Sequence, residues 1–272
     1  GAKSVLHIQD YEVDAMFGLG LGGSPLLRRL AWGVERGLLR RFDRVSTISS
    51  GMLDKAAGKG VEAQRLLFFP NWSETERFLD VPRNGRLLER LGVPAGKRVL
   101  LYSGNIGEKQ GLELILDAAQ AHAHRPELVF LIVGQGAGKA RLQQRVEREG
   151  LHNVVFAPLQ AYEDLPALLA SADVHLVIQK RGAADSVLPS KLTNILAVGG
   201  HAIITADPDT TLGRLCDEHP GIAVRVEPES VTALNEGIER VLALPAYNAV
   251  ALNYAAEFLD KERILQRFLA QV

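Results

Sequence analysis

The feature that most limits the possible folds is an alternation of short apolar runs with amphipathic stretches from residue 98 onward. The apolar runs occupy 98–103, 128–133, 154–156, 174–178 and 202–205. Runs of this length predict buried strands, and the stretches between them have helical spacing. Strands that alternate with helices predict a parallel sheet with crossover helices. We therefore expect a complete, doubly wound α/β domain of Rossmann-like type over residues 83–245.

The segments on either side of this range differ from it. Residues 1–80 contain two strand-like runs, at 5–8 and 44–48, with a helical stretch between them. Two strands are too few for an ordinary Rossmann-like domain, so we expect a partial N-terminal one whose first half is missing. The turn-rich stretch 69–73 is predicted to link the two domains. The tail 246–272 is predicted to be helical and to pack back towards the N-terminal domain.

The segment 181–200 points to a ligand. It follows the strand-like run 174–178 and leads through Pro189, Ser190 and Lys191 into an apolar helix. In doubly wound sheets, ligands bind beyond the carboxyl ends of the strands, where this segment begins. The first amides of a helix lack intrahelical partners and favour an anion, whereas a lysine in the first turn opposes the helix dipole. We therefore expect a phosphate group at Ser190 and Lys191.

The overall composition excludes several classes of protein. Charges nearly cancel, with 31 basic and 32 acidic residues, so no global field favours nucleic acid. The single cysteine, Cys216, excludes disulfides and fits a reducing compartment. No apolar run reaches the roughly 20 residues that a membrane span needs. We expect a cytoplasmic α/β protein.

Two glycine-rich loops follow predicted strands, at 104–111 and 134–138. Glycine permits a close approach of the backbone to a phosphate, although an ordinary tight turn is the alternative. The second loop is not a P-loop, because Val133 and Ala140 stand where glycine and a hydroxyl residue are needed. It is not a dinucleotide fingerprint either, because Lys139 replaces the third glycine. ATPase and NAD-dependent enzymes are therefore disfavoured.

Titratable residues elsewhere give weaker indications. His122 and His124 are two apart on a predicted helix and face different directions, so we expect no metal site. Asp10 follows the first strand and could act as a base or orient an acceptor hydroxyl. A solvated loop at Asp10 is the alternative.

The stretch 25–42 is both basic and apolar. Such a helix can lie on an anionic membrane surface, where each basic residue contributes about 1 kcal/mol. A packed helix with a solvated arginine face is the alternative.

Several longer strings carry a resemblance to a known family. They are 102–112 (YSGNIGEKQGL), 130–136 (FLIVGQG), the stretch from Pro158 to Leu169, and 188–199 (LPSKLTNILAVG). On these strings the chain resembles glycosyltransferase family 4 of the GT-B fold. The strings 7–14 (HIQDYEVD), 69–74 (FPNWSE) and 179–184 (QKRGAA) are similar to its colanic-acid biosynthesis branch of predicted fucosyltransferases.

The resemblance implies two Rossmann-like domains, a nucleotide sugar bound by the C-terminal one, and transfer with retention at the anomeric carbon without a metal or other cofactor. It implies a donor such as GDP-fucose or a UDP-sugar, a lipid-linked oligosaccharide acceptor as in exopolysaccharide assembly, and a place at the cytoplasmic face of the membrane. The nucleotide-sugar site it implies comprises Gly104, Asn105, Lys109, Gln110, Gly134, Leu159, Arg181, Asp185, Ser186, Ser190, Lys191 and Asn194. Asp10 is the implied catalytic candidate.

The chain departs from the family pattern at four ligand positions. Asn105 and Gln110 stand where the family has arginine and lysine, so Lys109, Arg181 and Lys191 are candidates for the missing positive charge. Ser186 and Asn194 stand where the family has paired glutamates. Asp185 adjoins the first of these positions, and an asparagine at the second can still bind ribose hydroxyls.

The family's usual length is roughly 350–420 residues. We therefore expect this chain to be a shortened form that binds nucleotide but transfers little sugar. The alternatives are a UDP-sugar-dependent transferase, a non-catalytic nucleotide-sugar-binding partner, and an epimerase acting on a UDP-sugar.

Overall fold

The computed structural model describes residues 2–9, 11, 25–182 and 189–272. The chain forms two compact units, one of Gly1–Asn71 with Glu262–Val272 and the other of Trp72–Lys261. The sequence predicts domains over 1–80, 83–245 and 246–272, and these domain boundaries remain predictions.

The two units contain nine strands within the described residues. They are β1 (Val5–Ile8), β2 (Arg44–Thr47), β3 (Leu66–Phe68), β4 (Arg98–Asn105), β5 (Leu128–Gln135), β6 (Val154–Ala157), β7 (Val174–Val177), β8 (Ala202–Thr205) and β9 (Val224–Val226).

The α-helices of the described residues are α1 (Pro25–Leu39), α2 (Ser50–Gly58), α3 (Gly85–Arg90), α4 (Glu113–Ala121), α5 (Lys139–Glu149), α6 (Leu165–Ala170), α7 (Ser190–Ala197), α8 (Thr211–Glu218), α9 (Val231–Leu242), α10 (Ala249–Tyr254) and α11 (Lys261–Leu269). Short 3₁₀ turns occupy Ala63–Arg65, Thr75–Arg77 and Tyr162–Asp164, and a π-helical turn occupies Ala255–Leu259.

The smaller unit contains a three-stranded parallel sheet of order β1-β2-β3. Its core includes Val45 and Met52, both fully buried. Phe69 stacks on Phe268, with ring centroids 4.2 Å apart, so the end of the chain packs within this unit.

The larger unit contains a six-stranded parallel sheet of order β6-β5-β4-β7-β8-β9. Alternate residues of β4 enter different cores. Val99 and Leu101 belong to one apolar cluster, and Leu100 and Tyr102 belong to the other. Helices therefore cover both faces of the sheet, as the near-continuous apolar strands predict.

The order of these strands indicates where on the sheet a ligand is expected to bind. The chain moves outward from β4 to β5 and β6, returns to β7 beside β4, and then moves outward the other way. The direction therefore reverses between β4 and β7. In doubly wound sheets, the crevice outside the carboxyl ends of two such strands is the usual ligand site.

Candidate functional site

A cavity of about 200 Å³ lies at this reversal point. Its walls come from the ends of β4 and β7 and from helices α6 and α7. The lining residues are Leu101, Ser103, Gly104, Leu165, Leu169, His175, Leu176, Ser190, Lys191, Asn194 and Ile195. Four residues predicted from sequence, Gly104, Ser190, Lys191 and Asn194, are therefore brought together.

Lys191 supplies the positive charge of this cavity. Its Nζ atom lies 4.6 Å from the centroid of the Tyr102 ring. Within the described part of the chain, no carboxylate forms an ion pair with it. Burial lowers the pKa of Lys191 to about 8, because a low-dielectric environment disfavours the ammonium form. A buried ammonium group without a carboxylate partner is suited to bind the negative charge of a ligand.

Helix α7 directs its N-terminus at the same place. Leu192, Ile195 and Leu196 anchor the helix in the core. Its N-cap residue, Pro189, has no side chain that could accept a hydrogen bond from the first turn. The Leu192 amide donates to the Pro189 carbonyl at 2.8 Å, so the amides available to an anion are those of Ser190 and Lys191, and the helix dipole adds to the charge of Lys191.

Asn194 follows Ser190 by one helical turn and so lies on the same side of α7. Its Oδ1 atom accepts a hydrogen bond of 2.8 Å from the Ser73 hydroxyl. Ser73 is 2% exposed. Its contact with a residue 121 positions away in sequence is one that sequence reasoning missed.

The loop after β4 is held by its own side chains. Gln110 accepts a hydrogen bond of 3.1 Å from the Gly107 amide, so its side-chain oxygen closes the loop. Asn105 and Lys109 are exposed, and the Lys109 carbonyl accepts a bond from the Lys180 amide. None of Asn105, Lys109 and Gln110 lines the cavity.

The glycine loop after β5 has a packing role in this structure. A Cβ atom on Gly134 would overlap the carbonyl oxygen of Gly104, and one on Gly136 would overlap that of Ile106. Gly136 also has a φ of +152°. The Ile106 carbonyl accepts a bond of 3.0 Å from the Gly138 amide. These glycines therefore let the two loops at the sheet edge pack against each other.

Arg181, a candidate for the missing charge, has two carboxylate partners instead. It forms ion pairs with Asp207 and with Glu227, the latter at 3.0 Å, and it does not line the cavity. Leu159 is exposed and also lies outside the lining. Asp10, Asp185 and Ser186 lie outside the described residues.

His175 also lines the cavity, although sequence analysis did not place it there. It is 1% exposed, and neither ring nitrogen has a partner in the described structure. Burial lowers its pKa to about 3, so the imidazole is neutral at ordinary pH. The signal available in the sequence was strand alternation, which places residue 175 on the face that α7 covers.

Three observations bear on the predictions about a metal site and a membrane span. His122, which caps α4, contacts the Ala118 carbonyl and Glu239. In the described ranges, no three His, Cys, Asp or Glu side chains are grouped to hold a metal ion. No helix in the described ranges is both long and apolar enough to cross a bilayer.

Comparisons with known proteins agree with this geometry. The family model "Glycosyl transferases group 1" matches residues 86–258. A second model, "Glycosyl transferase 4-like domain", matches residues 1–72. Together the two matches cover most of the chain.

Two curated relatives are similar over most of the chain. The "Putative colanic acid biosynthesis glycosyl transferase WcaI" of Escherichia coli strain K12 is 56% identical over 277 residues, which cover 100% of this chain and 68% of WcaI. The "Probable glycosyltransferase WbjE" of Pseudomonas aeruginosa is 28% identical, and the match covers 90% of this chain and 61% of WbjE.

A solved structure has a similar fold. Anabaena HepE, crystallised with UDP and glucose, matches with a TM-score of 0.74 at 18% identity. The match covers 98% of this chain and 70% of HepE. At this identity the likeness concerns the fold alone.

Proposed function

The chain belongs to the group 1 glycosyltransferases and has their GT-B type of α/β fold, and on that premise we propose that it moves a sugar from a nucleoside diphosphate to a lipid-linked oligosaccharide. The observation that carries this proposal is the ammonium group of Lys191, which lies at the α7 N-terminus without a carboxylate partner in the described structure.

The proposed chemistry concerns the leaving group. When the glycosidic bond to the donor breaks, negative charge develops on the diphosphate. Preorganised positive groups stabilise such charge most effectively in a site that excludes water. Lys191 and the amides at Ser190 supply these groups, so we expect the reaction to need no metal ion. We further propose transfer with retention at the anomeric carbon.

The proposed donor and acceptor follow from the relatives. WcaI is designated a colanic acid biosynthesis glycosyl transferase, so we propose an acceptor from exopolysaccharide assembly and GDP-fucose as the donor. A UDP-sugar is the second candidate, since HepE was crystallised with UDP and glucose.

The test compares donors under identical conditions. The chain is incubated with radiolabelled GDP-fucose or UDP-glucose and a lipid-linked oligosaccharide, and transfer and donor hydrolysis are both measured. A melting curve recorded with each donor shows which one binds. We expect stabilisation by one donor and slow transfer from it. Binding without transfer or hydrolysis, in this chain and in a longer form, would instead support a non-catalytic binding partner. An isomerised nucleotide sugar formed without acceptor would support an epimerase.

We propose in addition that α1 rests on an anionic lipid surface at the cytoplasmic face. Leu30 and Val34 are 65% and 66% exposed, and they lie one turn apart on the same face. Arg29 and Arg36 are exposed beside them. Glu35, the only acidic residue in 25–42, is neutralised by Lys59 at 2.6 Å. An apolar stripe with basic flanks is the pattern of an interfacial helix.

Vesicle sedimentation tests the lipid contact. We expect binding to vesicles that contain phosphatidylglycerol, weaker binding to pure phosphatidylcholine, and loss in high salt. The double variant Leu30→Ser, Val34→Ser should lower vesicle binding. Leu79→Ser, which alters an exposed leucine of the other unit, should not. Equal binding by both variants would contradict the proposed lipid contact.

A further inference from the structure

We propose that Ser73 is a positioning residue that sets the orientation of the Asn194 amide toward the donor. The inference rests on the proposed function, since it concerns the same cavity. It assigns a role in donor recognition to a residue that does not itself line that cavity.

The backbone of Ser73 is held on both sides. Its amide donates to the Leu259 carbonyl at 2.8 Å, and its own carbonyl accepts from the Lys261 amide at 3.2 Å. These bonds form a parallel bridge between Ser73 and Asp260. The side chain is buried as well. The Ser73 hydroxyl is therefore presented from a fixed position.

In this structure the hydroxyl bonds the oxygen of the Asn194 amide and leaves the amide nitrogen available. The hydroxyl donates to Oδ1 at 2.8 Å, whereas Nδ2 has no hydrogen-bond partner among the described residues. Asn194 lines the cavity. A carboxylate at this position could only accept hydrogen bonds, but an amide held by its oxygen offers N–H donors. The ligand must then supply an oxygen acceptor, and the ribose hydroxyls of a nucleotide can do so.

Glu74, the residue after Ser73, supports α6, which is the second helix that lines the cavity. Glu74 accepts a hydrogen bond from the Tyr162 hydroxyl at 3.2 Å, and Tyr162 begins the turn that leads into α6. Leu165 and Leu169 of α6 line the cavity. Glu74 and Tyr162 are more exposed than Ser73, so their link contributes less. Ser73 is therefore the residue to change.

The test compares ribose with deoxyribose in the ligand. GDP and UDP, with their 2′-deoxy and 3′-deoxy counterparts, are titrated calorimetrically into the chain and into Ser73→Ala. We expect wild type to prefer one ribonucleotide over its deoxy forms. We expect Ser73→Ala to bind that ribonucleotide about fivefold more weakly, as for one lost hydrogen bond, and to lose most of the preference.

Three further variants distinguish the loss of the hydrogen bond that positions Asn194 from a general destabilisation of the segment around Ser73. Thr75→Val removes a hydroxyl that bonds Asp260 at 2.7 Å in the same segment, and it should lower the melting temperature without changing the preference. Ser73→Thr keeps the hydroxyl and should restore the preference. Asn194→Ala removes the amide that Ser73 positions, so the preference should disappear in it as well.

The outcomes distinguish this inference from the proposed function. If Ser73→Ala keeps the wild-type preference for ribose, as Thr75→Val should, the positioning role is overturned while nucleotide binding stands. If the wild-type chain binds neither GDP nor UDP, the proposed function and this inference are both overturned.

Discussion

The ammonium nitrogen of Lys191 lies 4.6 Å from the centre of the Tyr102 ring. The ring face attracts the cation, and the hydroxyl of the same tyrosine donates to the Asn105 carbonyl at 2.6 Å. The lysine therefore reaches the site over a fixed aromatic surface, without forming an ion pair with any carboxylate of the described residues. This arrangement holds a positive charge ready for a ligand.

Replacing the charge should weaken binding and stabilise the free protein. Lys191→Met keeps the apolar stem but removes the ammonium. We expect nucleoside diphosphate affinity to fall at least about tenfold, which is the loss of one charged contact. Since burial of the ammonium is unfavourable, we expect the free energy of unfolding of the ligand-free protein to rise by about 1–3 kcal/mol. Calorimetric titration and urea denaturation measure the two effects. A variant that loses both affinity and stability would show that Lys191 supports the fold instead.

Binding should depend on pH through Lys191. Its pKa in the free protein is lowered to about 8, and a bound diphosphate favours the ammonium form and raises that pKa. Binding above pH 8 then requires proton uptake, so affinity should fall by up to about tenfold per pH unit there. Because the unfolded chain keeps its proton up to about pH 10.5, the stability of the ligand-free protein should change in the opposite direction and rise between pH 8 and 10.5. Titrations from pH 7 to 10 test this, and Lys191→Met should lack both effects.

Arg181 should contribute little to donor binding. Its guanidinium is engaged by Asp207 and Glu227 and lies outside the cavity lining. We expect Arg181→Gln to change nucleoside diphosphate affinity by less than about twofold, and stability by about 1 kcal/mol or less, since these pairs are exposed. A tenfold loss of affinity would assign Arg181 to the donor site.

The loop glycines should matter for stability. Gly134→Ala places a methyl group against the Gly104 carbonyl, and overpacking of this kind costs about 1–3 kcal/mol or more. Gly51→Ala is the matched control, because it lies within α2 and its new methyl meets nothing within 4 Å. The control should change stability by about 0.5 kcal/mol or less. Denaturant unfolding of both variants measures the difference, and equal stabilities would refute the packing role.

Local patterns were sufficient to predict the family and the larger sheet. The strands from 98 to 205 are apolar runs, and their alternation with helices predicts a parallel sheet. The predictions of family and fold are confirmed. The strands β3 and β9 have three residues each, which is too short for a periodic signal, so they were missed.

The cavity residues that the sequence indicated are those with a local signal, and Gly104 is one because it begins a glycine-rich loop after a predicted strand. Ser190, Lys191 and Asn194 lie on one helix, and a helix start is readable from residue order. The partners of Arg181 come from the segments after β8 and β9, and Ser73 meets Asn194 across 121 positions. Contacts of this kind arise from strand order and crossover packing. No local pattern encodes them.

The most direct test is a crystal structure of this chain grown with saturating GDP or UDP. The account predicts the diphosphate at the N-terminus of α7, with its oxygens within hydrogen-bond distance of the Ser190 and Lys191 amides and of Lys191 Nζ. A diphosphate bound elsewhere, or this cavity filled by the chain's own side chains while ligand is present in excess, would contradict it.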